Sequence, residues 1–77
     1  MPRAYVLINC ELGYEDEIIK ELKTIPGVAK VSAVYGVYDM IVEVKSDTLK
    51  KLRETITWHF RRIDKIKTTV TMIVIEA

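Results

Sequence analysis

The residues of this chain with types and spacing suited to chemistry lie in one short segment, Val34-Tyr35-Gly36-Val37-Tyr38-Asp39-Met40-Ile41-Val42. Gly36 at a hairpin tip can take a positive φ and leaves its backbone N–H open to close approach. Asp39 follows three residues later, where the next strand begins. Together they offer N–H donors for a small carboxylate and an acceptor for an ammonium, the two ends of an amino-acid zwitterion. The same residues also suit an ordinary hairpin, with Gly36 as the turn residue and Asp39 as a local acceptor. Spacing alone leaves both readings open.

Elsewhere, groups that could catalyse stand singly, whereas side-chain catalysis needs pairs or triads. There is one histidine, His59, and one cysteine, Cys10. His59 falls beside the apolar stripe of a helix, where an interface position or a ligand contact both fit. Cys10 falls on the core side of a central strand and reads as a packed, inert thiol. No Cys/His cluster has zinc spacing. Glu15-Asp16-Glu17 suits the first turn of a helix, where the macrodipole favours negative charge, better than a cation site. Three isolated glycines make no phosphate loop. Lys50, Lys51, Arg53, Arg61 and Arg62 make the second helix basic. A solvated face accounts for that, and an acidic docking partner is the sharper alternative. No metal and no cofactor is called for.

These groups have little chain to position them. Seventy-seven residues make a single domain, residues 1–77, and a domain of that size buries only about 60% of its unfolded surface. Yet 49% of the residues are hydrophobic, so surplus apolar surface is expected to meet a partner. Twelve Lys+Arg against eleven Asp+Glu leave a net charge of +1, which gives no bulk drive toward nucleic acid or anionic lipid. One cysteine permits no internal disulfide, in keeping with a reducing, cytoplasmic setting. No apolar run is long enough for a signal peptide or a membrane span. Gln is absent and Asn occurs once, a bias that resembles hyperthermophile composition.

Ala4 to Cys10 has strand character, and Gly13 ends the turn after it. Tyr14 to Ile25 reads as a helix, with Tyr14, Ile18, Leu22 and Ile25 on one face, stopped by Pro26-Gly27. Val28 to Tyr35 and Val37 to Lys45 read as a hairpin about Gly36. Ser46 or Asp47 is expected to cap a second helix to about Ile63, its stripe running Leu49, Leu52, Ile56, Phe60, Ile63. Ile66 to Ile75 is the last strand. The order β-α-β-β-α-β predicts an α+β, ferredoxin-like fold: a four-stranded antiparallel sheet, order 4-1-3-2, with both helices on one face.

Period-2 alternation assigns Val6, Ile8 and Cys10, Met40, Val42 and Val44, and Val70, Met72 and Val74 to the helix side. The opposite face keeps Tyr5, Leu7, Ile41, Ile73 and Ile75, too apolar for a wetted sheet. A second subunit is expected to cover it. An RNA-binding sheet would instead carry aromatics there on its two central strands, and this one offers few.

With Ile25-Pro26-Gly27-Val28, then Val34-x-Gly36-x-x-Asp39, then Thr69-x-Thr71-x-Ile73-Val74, the chain resembles the effector-binding domain of the Lrp/AsnC regulators, the regulation-of-amino-acid-metabolism (RAM) module. The likeness runs from about Tyr5 to Glu76. It departs where the family often has Pro-Gly-Val before the last strand and this chain has Asp64-Lys65-Ile66. The resemblance implies the same fold, subunits paired through their sheets, and dimers assembled into rings, often octamers. It implies amino-acid effectors at contacts between dimers, with Gly36 and Asp39 in the pocket and Tyr35, Thr69, Thr71 and His59 as further candidates. Family members carry a helix-turn-helix domain ahead of this module. The chain opens shortly before its first strand, so a stand-alone module without direct nucleic-acid binding is expected, not an enzyme, with a full-length Lrp/AsnC-type regulator as a partner through mixed assembly. Two rivals stand beside it: a small enzyme of the dimeric α+β barrel type, monooxygenase or isomerase, and a purely structural oligomerisation module.

Overall fold

β-branched and aromatic residues at the start of the chain form β1, Arg3–Cys10, which becomes the second strand from one edge of the sheet. A computed structural model describes residues 1–75; Glu76, where the family likeness ends, lies outside them. After β1 come α1 (Glu15–Lys23), β2 (Val28–Ala33), β3 (Met40–Lys45), α2 (Leu49–Thr55) continued by a π-helical turn (Ile56–Phe60), and β4 (Ile66–Ile73). The sheet order is β2-β3-β1-β4, every neighbouring pair antiparallel. This is the expected ferredoxin-like βαββαβ topology, with the 4-1-3-2 order written from its other edge.

The core obeys the alternation of the central strands. Ala4, Val6, Ile8 and Cys10 of β1 and Met40, Val42 and Val44 of β3 are buried. Opposite them stand Ile18 and Leu22 of α1, Leu52 and Phe60 of the second helical segment, and Ile63 just beyond it. Acidic Glu15, Asp16 and Glu17 occupy the first turn of α1 and Lys20 and Lys23 its last, both complementing the macrodipole. Gly27, just past α1, has φ +97°, and a Cβ there would sit 2.9 Å from the Lys45 carbonyl. Only glycine fits that crossing.

Two helical expectations change. The cap of α2 is Thr48, whose hydroxyl accepts the Lys51 N–H at 3.1 Å, rather than Ser46 or Asp47; Thr48 has the extended backbone (φ −131°, ψ 156°) that an N-cap requires. Beyond Thr55 the α-helical repeat widens into the π turn. The helix stops well short of Ile63, and Ile63 is buried from the connection after it.

The larger correction concerns β4. Its register sets Met72 opposite Tyr5 and Val70 opposite Leu7, so both join the open face, where they are 48% and 41% exposed. Thr69, Thr71 and Ile73 lie opposite Ile8, Val6 and Ala4, toward the helices, and Ile73 packs against the core. The cause is a bulge. Asn9 pairs with Thr68 but Cys10 with Ile66, so Lys67 is an extra residue that inverts the alternation. Counting by twos from Ile66, which does pack on the core, gives the wrong face for everything after it. Ile75 lies past the end of β4. The apolar set of the open face is therefore Tyr5, Leu7, Ile41, Val70 and Met72.

Candidate functional site

The sequence-derived candidates fall in three places. The first is the loop 34–39, wider than a one-residue hairpin tip, since β2 ends at Ala33 and β3 begins only at Met40; Asp39, at its end, is bonded to β1 and to Val34, just past β2. Its N–H donates to the Ile8 carbonyl at 2.9 Å, and its carbonyl accepts the Val34 N–H at 3.0 Å. Its carboxylate Oδ2 accepts the Cys10 N–H at 2.9 Å. Asp39 is thus a long-range clamp on the end of β1, with the rest of its carboxylate facing outward from a half-buried position. Tyr35, Gly36 and Val37 project into solvent. Gly36 has φ +140°, and nothing stands within 4 Å of where a Cβ would be, so its backbone is open to a ligand or a neighbouring subunit. Burial, and next the charge of Asp39, push the Cys10 thiol above its ordinary pKa, which suits an inert thiol.

The second place is a groove of about 340 Å³ between the π turn and β4. The helix layer covers β1 and β3 but leaves β4 largely uncovered on both faces. Thr69 and Thr71, turned inward by the bulge, line the groove with Phe60 and Ile56 as apolar wall and Arg61 and Lys67 as cations. Two hydroxyls, two cations and an apolar wall suit a carboxylate attached to an apolar group. Among the described residues no carboxylate side chain lines this groove, and none of its lining residues comes from the loop 34–39. Within one chain the anionic and cationic halves are separate.

The third place holds His59, half-buried on the other side of the π turn, at the opposite end of the sheet from Asp39. The structure does not bring it together with Thr69 and Thr71. Arg61 and Lys67 are groove residues that sequence reasoning missed: the helix dipole already accounts for Arg61, and Lys67 faces the groove only because of the bulge.

The match to the Lrp/AsnC ligand binding domain model covers residues 3–77, and the chain belongs to that family. Among solved structures, an FFRP protein is 41% identical with a TM-score of 0.91, aligning 97% of this chain with 100% of its own. The hypothetical protein PHS023 of Pyrococcus horikoshii is 40% identical with a TM-score of 0.91, over 100% of this chain and 93% of its own. The transcriptional regulator NMB0573 of Neisseria meningitidis, solved as a complex with L-Met, shares the fold at 9% identity and a TM-score of 0.84, with this chain covering 50% of it. A curated relative, homocitrate synthase of Sulfurisphaera tokodaii, is 28% identical over 74 residues; that is 95% of this chain but 16% of the relative.

Proposed function

We propose that this chain is an amino-acid sensing module that binds its effector between subunits and modulates Lrp/AsnC-type regulators by mixed assembly. The observation that carries the reading is the division of the site. The Asp39 loop can receive an ammonium, and the Thr69–Thr71 groove with Arg61 and Lys67 can receive a carboxylate. An amino acid needs both, and a second subunit is the simplest way to join them. The L-Met complex of a regulator with the same fold supports the ligand class. Assembly is supported by the open face, where Leu7 lies between Ile41 and Val70 in direct register. The likeness to part of an enzyme fits the same role, since a stretch amounting to 16% of homocitrate synthase suits a ligand-binding attachment better than its catalytic body.

A thermal-shift screen of the common amino acids tests the reading, because a ligand that binds only the folded state raises the melting temperature with concentration. One or a few amino acids are expected to raise it and to change the light-scattering mass together, as linkage between site and assembly requires. A screen with no shift overturns the sensing role and leaves structural oligomerisation. Turnover of a small organic substrate would favour the barrel enzyme.

A further inference from the structure

Charge is unevenly placed on this chain. The net charge is +1, yet the second helical segment and its end carry Lys50, Lys51, Arg53, Arg61 and Arg62 against one carboxylate, Glu54. All five cations are exposed. Among the described residues an ion pair joins Arg3 to Glu43, and none joins these five to a carboxylate. In their midst stands Trp58, 62% exposed, although tryptophan is highly buried on average. One turn further on, the Arg62 guanidinium lies 5.2 Å from the Trp58 ring centroid. One turn back, a shallow hollow of about 370 Å³ is lined by Arg53, Glu54, Thr57 and Trp58. Its surface is mostly hydrocarbon: the indole, the Thr57 methyl and the methylene stems that long charged side chains lay along apolar surface.

We propose that this outward face docks an acidic segment of a partner protein, one that sets a large apolar residue between carboxylates. Charge complementarity gives the sign, since matched potentials steer encounter and fix register. Arg53 and Arg62 flank Trp58 and can each hold a carboxylate through two parallel N–H bonds. The hollow beside Trp58 takes the apolar residue, and tryptophan and arginine are the residue types on which interface energy concentrates. Two other polyanions fit less well. A phosphate backbone is an unbroken line of negative charge and would run over Glu54, where a peptide can place its uncharged residue. An anionic membrane takes helices with a whole apolar face free to insert; here Leu52 and Phe60 are buried in the core, leaving Trp58 and little else. The hollow shares only Thr57 with the Thr69–Thr71 groove and nothing with the Asp39 loop, so the proposal does not depend on the effector reading.

Trp58 is the only tryptophan, which makes intrinsic fluorescence a reporter of this face. The probe is a capped peptide of glutamates with one central leucine. Titration, exciting Trp58 selectively, is expected to give a saturable change in emission whose midpoint rises with salt. Replacing the leucine by glycine should weaken binding about tenfold. Arg53→Glu and Arg62→Glu should each weaken it about tenfold. The same charge change on α1, Lys20→Glu, should leave it within about twofold. All three are exposed substitutions that leave the far-UV circular dichroism unchanged. No saturable response up to millimolar peptide overturns the proposal. So do equal affinities for the leucine and glycine peptides, or a Lys20→Glu loss as large as that of Arg53→Glu. Tighter binding of a single-stranded oligothymidylate would make the face a nucleic-acid surface instead. A smaller light-scattering mass for Arg53→Glu without peptide would assign the face to a second copy of the chain, and also overturns it.

Discussion

Asp39 has one observed role, the clamp on β1, and one proposed role, in the effector site, and two substitutions separate them. Its carboxylate accepts the Cys10 N–H, so Asp39→Ala leaves a buried donor unpaired, at a cost of about 1–3 kcal/mol. Asp39→Asn keeps an amide oxygen for Cys10 while removing the charge. Urea denaturation is therefore expected to place the Asn variant near wild type and the Ala variant clearly below it. Calorimetric titration with the amino acid that the thermal-shift screen selects should show the Asn variant about ten- to a hundredfold weaker, the loss of one charge-assisted contact. Equal affinities would leave Asp39 a clamp and nothing more. In the sequence Asp39 was legible as a candidate acceptor, because a carboxylate after a turn glycine has few other uses. Its bond to Cys10 was not, since that depends on how β1 and β3 stop relative to one another. Cys10 itself was legible as a packed thiol from alternation alone.

The elements that carry strong periodicity were read with small errors at their ends, and the connection before β4 was not. The stripe Leu52, Ile56, Phe60, Ile63 is compatible with a continuing α-helix, but the chain makes a π turn at Ile56–Phe60. No residue type marks an i→i+5 bond, and such turns occur often at functional positions. Here the turn is a wall shared by the groove, through Phe60, and the outward hollow, through Trp58. Lys65, in the connection to β4, has φ +71°, a left-handed conformation that costs a side chain with a Cβ about 1–2 kcal/mol. It stands where the family resemblance has glycine. The Lys65 ammonium also lies 5.1 Å from the Tyr14 ring centroid, so Lys65→Gly alone would mix two effects. Lys65→Gly and Lys65→Ala both lose that contact and differ mainly in backbone tolerance. Thermal unfolding is expected to show the Gly variant about 1 kcal/mol more stable than the Ala variant. Equal stabilities would mean that the connection relaxes out of the left-handed region.

For the molecule as a whole, the proposed assembly rests on the open face of the sheet. Leu7 is its centre, flanked by Ile41 and Val70, and the Tyr5 hydroxyl donates to Glu43 at 3.4 Å, on the polar side of the same face. In the proposed subunit interface Leu7→Glu would place an unpaired charge, at several kcal/mol. Leu7 is only half-buried within one chain, so the variant is expected to fold and to scatter light as a monomer. A variant with the wild-type mass would remove this face from the assembly. That the face is apolar was legible in Tyr5, Leu7 and Ile41. That Val70 and Met72 belong to it was hidden by the bulge at Lys67, which carries a further meaning. One inserted residue works as a parity bit for the whole outer strand. It turns two apolar side chains to the open face and two threonines toward the groove. Removing Lys67 would exchange those assignments without altering any other residue. On the proposed function, stickiness for a partner and hydrogen bonding for a ligand are thus set jointly by residue number along one strand. In a module of this kind, affinity for copies of itself and affinity for a small molecule can be gained or lost together by insertion or deletion of a single codon.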